Sequence, residues 1–279
     1  LAGGAAAVAV GTHALLTQGV DFDRLGLAII DEQHRFGVEQ RALPRAKGAS
    51  PHTLHMTATP IPRTLAQSVY ADLDNSQLDE LPPGRTPIET FAIRSSRLEG
   101  AYEFVRKIVA LGNQAYIVAP AIDEGENGLT SAVAEAERLQ RKVFSDLRVG
   151  LLHGRMKGDE KEAVMDGFRA ARIDVLVATT VIEVGVDVPN ATVMVVLDAD
   201  RFGIAQLHQL RGRVGRGTAA SRCYLVAGEP SCDGEARCEA GGASNDGCAL
   251  AEVDLDLRGE GTIMWGRHKG RNDLRRATL

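Results

Sequence analysis

Short runs rich in Val, Ile and Leu recur along the chain: "RLGLAII" (24–30), "HTLHMTA" (52–58), "QAYIVAP" (114–120), "RVGLLHG" (148–154), "IDVLVATT" (173–180) and "TVMVVLD" (192–198). Each is followed by a stretch in which polar and apolar positions alternate with helical spacing. Apolar runs that do not alternate are buried on both faces, and strands of that kind interleaved with helices predict parallel sheets covered by helices. "ELPPGRTP" (80–87), with three prolines and a glycine, interrupts the pattern and reads as a linker. One α/β unit is therefore expected over 1–80, a linker at 81–87 and a second α/β unit over 88–228. Residues 229–279 begin with a Gly- and Ala-rich stretch that has almost nothing to bury, regain helical spacing at 250–257 and end basic, as a small helical or irregular appendage.

Composition adds limits rather than an activity. The 279 residues, 44% hydrophobic and 25% charged, suffice for two ordinary cores. No apolar stretch reaches the roughly 18 to 20 residues of a membrane span, and the start "LAGGAAAVAV" has no signal-peptide pattern, so a cytoplasmic location is the default expectation. A net charge of −5 carries no global nucleic-acid signature; any DNA contact has to come from local patches. The four cysteines, Cys223, Cys232, Cys238 and Cys248, match no metal-binding pair and read as free thiols.

The chemistry begins at "AIIDEQHRFG" (28–37), where Asp31 and Glu32 follow an apolar run. Ligands of open parallel sheets sit at the carboxyl ends of strands, and nucleoside triphosphate hydrolysis uses such a pair, one carboxylate to hold Mg²⁺ and one to polarise the attacking water. Alone, Asp-Glu after a strand fits a helix N-cap equally well. Its company is more specific: "TATPIPRTLA" (57–66), "LLHGRM" (151–156), "VATTVIEVGVDVPNA" (177–191) and "QLHQLRGRVGRG" (206–217).

In this order, Asp-Glu-x-His, Thr-Ala-Thr and Gln-x-x-Gly-Arg-x-Gly-Arg resemble the superfamily 2 helicases, placed on successive strand ends. With "VGTHALL", "YADLD" and "DELPPGRTPIET" the sequence is most similar to the RecG family, DNA helicases that remodel branched DNA such as stalled forks and Holliday junctions, with the transcription-repair coupling factor as that family's neighbour. The resemblance implies two RecA-like domains, ATP and Mg²⁺ as cofactors, branched or duplex DNA as partner and a monomeric motor. It assigns Asp31 to Mg²⁺, Glu32 to water activation, and Gln33, His34, Thr57 and Thr59 to coupling between nucleotide and DNA. Arg213 and Arg216 become arginine fingers with Gln209 beside them, and Gly185 and Asp187 lie on the nucleotide side. Thr12, His13, Gly154, Arg155, Thr179 and Thr180 become a track for DNA phosphates. Competing readings are a surface histidine at a helix start for His34 and a solvated basic helix face for Arg213 and Arg216. Glycines at 212, 215 and 217 disfavour the latter.

The sequence departs from the family in two places. No G-x-x-x-x-G-K-[ST] loop occurs, nor any Gly-Lys dipeptide, whereas the family's phosphate loop precedes "VGTHAL" and a DNA-binding wedge domain precedes that. The first domain is accordingly expected to be incomplete and to expose sheet edges and apolar faces. Towards the end, "SNDGCALAEVDLDLRGEG" resembles the family's translocation motif, but "ARCEAGGA" and "MWGRHKG" stand where a leucine-bearing helix and a Leu-Gly-Thr-Arg-Gln-Ser-Gly turn are expected, with Trp265 and His268 at its glycine and glutamine. Against a DNA helicase motor stands one alternative, a noncatalytic module that binds DNA or a partner protein.

Overall fold

The computed structural model describes residues 3, 7–17, 19–32, 51–57, 73–76, 78, 80, 85–120, 126–179 and 187–228. The chain divides into two compact units, Leu1–Pro60 and Ile61–Leu279. In the first, β1 (Leu27–Ile30) and β2 (His52–His55) pair in parallel, Leu27 opposite His52 and Ile30 opposite His55. One face of the pair is open to solvent, with Leu27, Ile29 and Leu54 at 56%, 58% and 49% exposure.

The second unit is a six-stranded, wholly parallel sheet of β3 (Glu89–Arg94), β4 (Gln114–Val118), β5 (Val149–Leu152), β6 (Val175–Ala178), β7 (Ala191–Val196) and β8 (Arg222–Ala227), in the order β3-β8-β7-β4-β6-β5. The helices are α1 (Leu98–Ala110), α2 (Glu126–Arg138), α3 (Gly158–Arg169) and α4 (Ile204–Arg211). Every residue of β4, β6 and β7 is buried, which is why these runs are continuously apolar. Two cores result. Tyr102 and Val105 of α1 pack with Ala136 and Leu139 against Ala115, Ile117, Val193 and Val195. On the other face Phe168 of α3 and Leu207 and Leu210 of α4 pack against Tyr116, Leu176, Met194 and Leu225.

The six apolar runs all hold strands. Two further strands, β3 and β8, did not stand out in the sequence, because "ETFAIR" lies at an edge with Glu89, Phe91 and Arg94 exposed and "RCYLVA" opens on a charged residue. The opposite edge, β5, is partly closed where α2 widens into a π turn (Leu139–Val143): the Gln140 amide donates to the carbonyls of Phe144 (3.3 Å) and Leu147 (3.1 Å) and accepts the outward N–H of Val149 (3.1 Å).

One buried polar group ties the amino ends of the strands together. Gln114, 2% exposed, donates to the carbonyls of Phe168 and Ile173, both at 2.6 Å, and accepts from Asn190 at 3.2 Å. Tyr116, 1% exposed, contrasts with it: among the described residues its hydroxyl has no hydrogen-bond partner. Removing a partner from buried carbonyls costs their desolvation, whereas removing an unpaired hydroxyl costs little. Gln114→Leu should therefore lose about 2 to 4 kcal/mol in urea unfolding, and Tyr116→Phe should stay within about 0.5 kcal/mol of the parent.

At the start of β5 and β6 the Arg148 guanidinium grips the Asp174 carboxylate at 2.5 and 3.0 Å, and the Arg148 N–H adds a third bond at 2.8 Å. These bonds hold the Asp174 carboxyl below its ordinary range. A depressed carboxyl stabilises the fold fully above the unfolded value of about 3.9 and loses that contribution as pH falls through the folded value. The stability gap between the parent and Asp174→Asn should accordingly close as pH is lowered from about 5 towards 2 in an acid-unfolding series.

Candidate functional site

In the first unit the strand register assembles the carboxylates with the threonine segment. β1 ends at the buried Ile30, and the N–H of Met56 donates to the Ile30 carbonyl at 2.8 Å, so Asp31-Glu32 and Met56-Thr57 leave adjacent strands at the same carboxyl end. Asp31 is exposed and its Oδ1 accepts the Glu32 N–H at 2.9 Å. Glu32 itself has φ 52°, a left-handed conformation uncommon for a residue with a side chain and concentrated at functional sites. Thr57 is exposed. Thr12 caps the short 3₁₀ turn His13–Leu16, its Oγ1 accepting the Ala14 N–H at 3.5 Å, and of His13 only the backbone is described.

In the second unit the candidate residues fall at opposite ends of the sheet. Motif residues 212–217 follow α4 and reach the amino ends of β3, β7 and β8. The reason is connectivity: α4 runs back from the carboxyl end of β7, so the turn between it and β8 must lie at the far end. Gln209, half-buried, lies in the last turn of α4. Val214, 0% exposed, plugs the turn into the core and leaves Arg213 and Arg216 on either side of it. Gly215 is left-handed (φ 71°), and a Cβ there would stand 2.9 Å from Ile88 Cγ1; at Gly217 it would stand 2.8 Å from the Pro189 carbonyl oxygen. The Arg216 Nε donates to the Gly212 carbonyl at 3.3 Å and its Nη1 lies 3.6 Å from Asp187 Oδ1. With Asp187 59% exposed, solvent weakens that ion pair.

Two arginines that the sequence reading passed over complete this end. Arg85 donates from Nε to the Gly215 carbonyl at 3.2 Å and from Nη2 to the Gly212 carbonyl at 3.4 Å. Its proline-rich surroundings had marked only a linker, and a lone arginine there has no periodicity to betray a contact 130 residues away. Arg211 is 5% exposed, with its Nη2 2.8 Å from His208 Nδ1; burial lowers its pKa, and the neighbouring Cys223 partly offsets this. Burial pushes the Cys223 thiol up to about 12, which keeps it protonated and unreactive at neutral pH. The other three cysteines lie outside the described residues.

At the carboxyl ends, β5 runs into His153, Gly154 and Arg155, where Lys161 of α3 donates to the Gly154 carbonyl at 2.7 Å. Arg155 and Lys157 are exposed and the His153 pKa is lowered, by burial first and by Lys161 second, so the imidazole is neutral at pH 7. Thr179 follows β6, 5% exposed, its N–H bonded to the Leu152 carbonyl at 3.2 Å. Gln33, His34, Thr59, Thr180, Gly185 and the appendage 229–279 lie outside the described residues. Among the described residues no cluster of three or more potential metal ligands occurs, and no helix is long and apolar enough to cross a membrane.

The turn's geometry sets a test. Gly215→Ala combines a left-handed backbone with a clash and should destabilise the second unit by about 1 to 3 kcal/mol in urea unfolding. Gly212→Ala, at φ −63° with its nearest neighbour at 3.4 Å, should stay within about 0.5 kcal/mol.

Comparison with known proteins bears on the same residues. The sequence profile described as "Helicase conserved C-terminal domain" matches residues 100–218. The ATP-dependent DNA helicase RecG of Synechocystis sp. is 54% identical over 271 residues, covering 97% of this chain and 33% of that protein. RecG of Bacillus subtilis is 47% identical over 280 residues, covering 100% and 41%. A solved structure of RecG bound to a three-way DNA junction superposes with a TM-score of 0.72 at 46% identity, over 91% of this chain and 33% of that one. A single-substitution variant of Dbp5 of S. cerevisiae bound to RNA and ADP BeF3 shares the fold at a TM-score of 0.57 and 16% identity, over 88% and 66%. The chain thus spans about a third to two fifths of the curated relatives it matches, and within that span it belongs to the RecG family of superfamily 2 helicases, with their RecA-like parallel-sheet architecture.

Proposed function

We propose that these residues form part of an ATP-dependent DNA helicase of RecG type that acts on branched DNA in repair and recombination. The observation that carries the reading is the rigid turn that offers Arg213 and Arg216: Val214 anchors it, Gly215 and Gly217 let it approach Ile88 and Pro189, and Arg85 braces it. Two planar guanidiniums on such a turn suit the charge that develops on a transferring γ-phosphate. Asp187 holds Arg216 only loosely and in solvent, so the guanidinium is released to a phosphate at small cost.

Asp31 and Glu32 supply the other half of the proposed chemistry. Carboxylate oxygens at a strand's carboxyl end are the donors that Mg²⁺ prefers, and the exposed Asp31 fits it. The ion, when bound, neutralises phosphate charge. Glu32 polarises the attacking water and takes its proton. Thr57, leaving the neighbouring strand, and Gln33, His34 and Thr59 relay the nucleotide state; Gln209, Gly185 and Asp187 line the nucleotide side. Arg155 and Lys157, with Thr12, His13, Gly154, Thr179 and Thr180, track DNA phosphates without reading bases. The motor works as a cytoplasmic monomer.

A polypeptide of these 279 residues should hydrolyse ATP far below the roughly 1 per second and above typical of enzymes, because no G-x-x-x-x-G-K-[ST] loop cradles the phosphates. In a form that includes the phosphate loop, Arg213→Ala or Arg216→Ala should lower DNA-stimulated turnover at least about a hundredfold, and Lys should not restore it. Arg172, exposed beyond α3, is the control and should tolerate Ala. Near-normal turnover in both finger variants would favour a noncatalytic binding module instead. DNA affinity should fall steeply between about 50 and 200 mM salt with no base preference; a salt-independent affinity would contradict the phosphate track.

A further inference from the structure

We infer that Arg85 is a positioning residue for the arginine fingers, acting through the backbone of their turn; this rests on the finger reading above. Arg85 is half-buried just before β3 and donates to two carbonyls of the turn, Gly215 at 3.2 Å and Gly212 at 3.4 Å. These carbonyls flank Arg213 and precede Arg216, so fixing them fixes the directions in which both finger side chains leave the backbone. The Gly212 carbonyl also accepts from Arg216 Nε at 3.3 Å, which puts the brace and one finger on a single acceptor. Ile88, three residues further along, adds an apolar wall under Gly215. Besides this brace the turn is held by the buried Val214 and by the backbone bonds of Arg213 to Leu210 and of Val214 to Arg211. Its glycines contribute no side chains, and positions 216, 218, 219 and 220 are exposed.

The choice of arginine follows from the geometry. The planar fork places two N–H donors on two acceptors at once, whereas an ammonium is a point charge on a flexible stem. Arg85 also lies just before β3, so a displacement of Arg85 reaches the turn through two hydrogen bonds.

Hydrogen exchange on the 279-residue chain reads the brace directly. In Arg85→Ala the amides of residues 213–217 should exchange at least about tenfold faster, while those of β4 and β7 keep their parent rates. Arg85→Lys should behave like Arg85→Ala. Unchanged exchange in the turn, or acceleration spread evenly through the second unit, would overturn the proposal. A second arm uses the form that includes the phosphate loop. There Arg85→Ala should lower kcat about ten- to a hundredfold with KM for ATP nearly unchanged, because a displaced finger costs transition-state rather than ground-state contact. Should Arg213→Ala and Arg216→Ala be silent, the finger reading fails. Should they be crippled while Arg85→Ala turns over normally, the role of Arg85 alone is refuted.

Discussion

The second unit depends on one constraint, the exclusion of water from both faces of a parallel sheet. Every residue of β4, β6 and β7 is buried, and apart from Gln114 and Thr192 their side chains are apolar or aromatic and pack. Parallel neighbours then require a crossover for each strand, and the helices fall on both faces as those crossovers demand. Chemistry is pushed to the two ends of the sheet, where loops meet solvent. Even the buried polar Gln114 works at an end, binding two carbonyls between the last turn of α3 and β6.

The two ends are unlike. At the carboxyl end of β5, Lys161, Glu160 and Arg155 act on a His153 imidazole whose pKa burial lowers. At the amino ends, a Gly-punctuated turn carries Arg213 and Arg216 and is held by the buried Val214, by the Arg85 side chain and by its close approach to Ile88 and Pro189. A ligand crevice of the sheet's own would lie at its carboxyl end. Arg213 and Arg216 lie at the other end, away from that crevice.

Much of this was legible in the sequence because the central strands are uniformly apolar and the motifs combine rare residue types at fixed spacing. "QAYIV", "VLVA" and "ATVMVV" announce themselves by burial on both faces. The edge strand "ETFAIR" does not, since it is packed on one side only and mixes charge with aromatics. The turn that carries Arg213 and Arg216 was marked by Gly-x-Gly spacing, and the structure supplies the reason for the glycines, a left-handed Gly215 and a carbonyl contact at Gly217. Arg85 was invisible because its partners are backbone carbonyls, which have no identity in a sequence. So was the placement of the turn at the amino ends, which follows from the direction of α4 and not from any residue. The left-handed backbone at Glu32 is likewise a fact of geometry that Asp-Glu does not spell.

We propose that Glu32 and Arg213 serve the same ATP-cleavage step. Single-turnover ATP cleavage in a form that includes the phosphate loop tests it through Glu32→Gln, Arg213→Ala and the double variant. Groups that serve one transition state are strongly non-additive, so the double variant should cleave little more slowly than the slower single one. Losses that simply multiply, or a Glu32→Gln variant with parent turnover, would contradict a shared step.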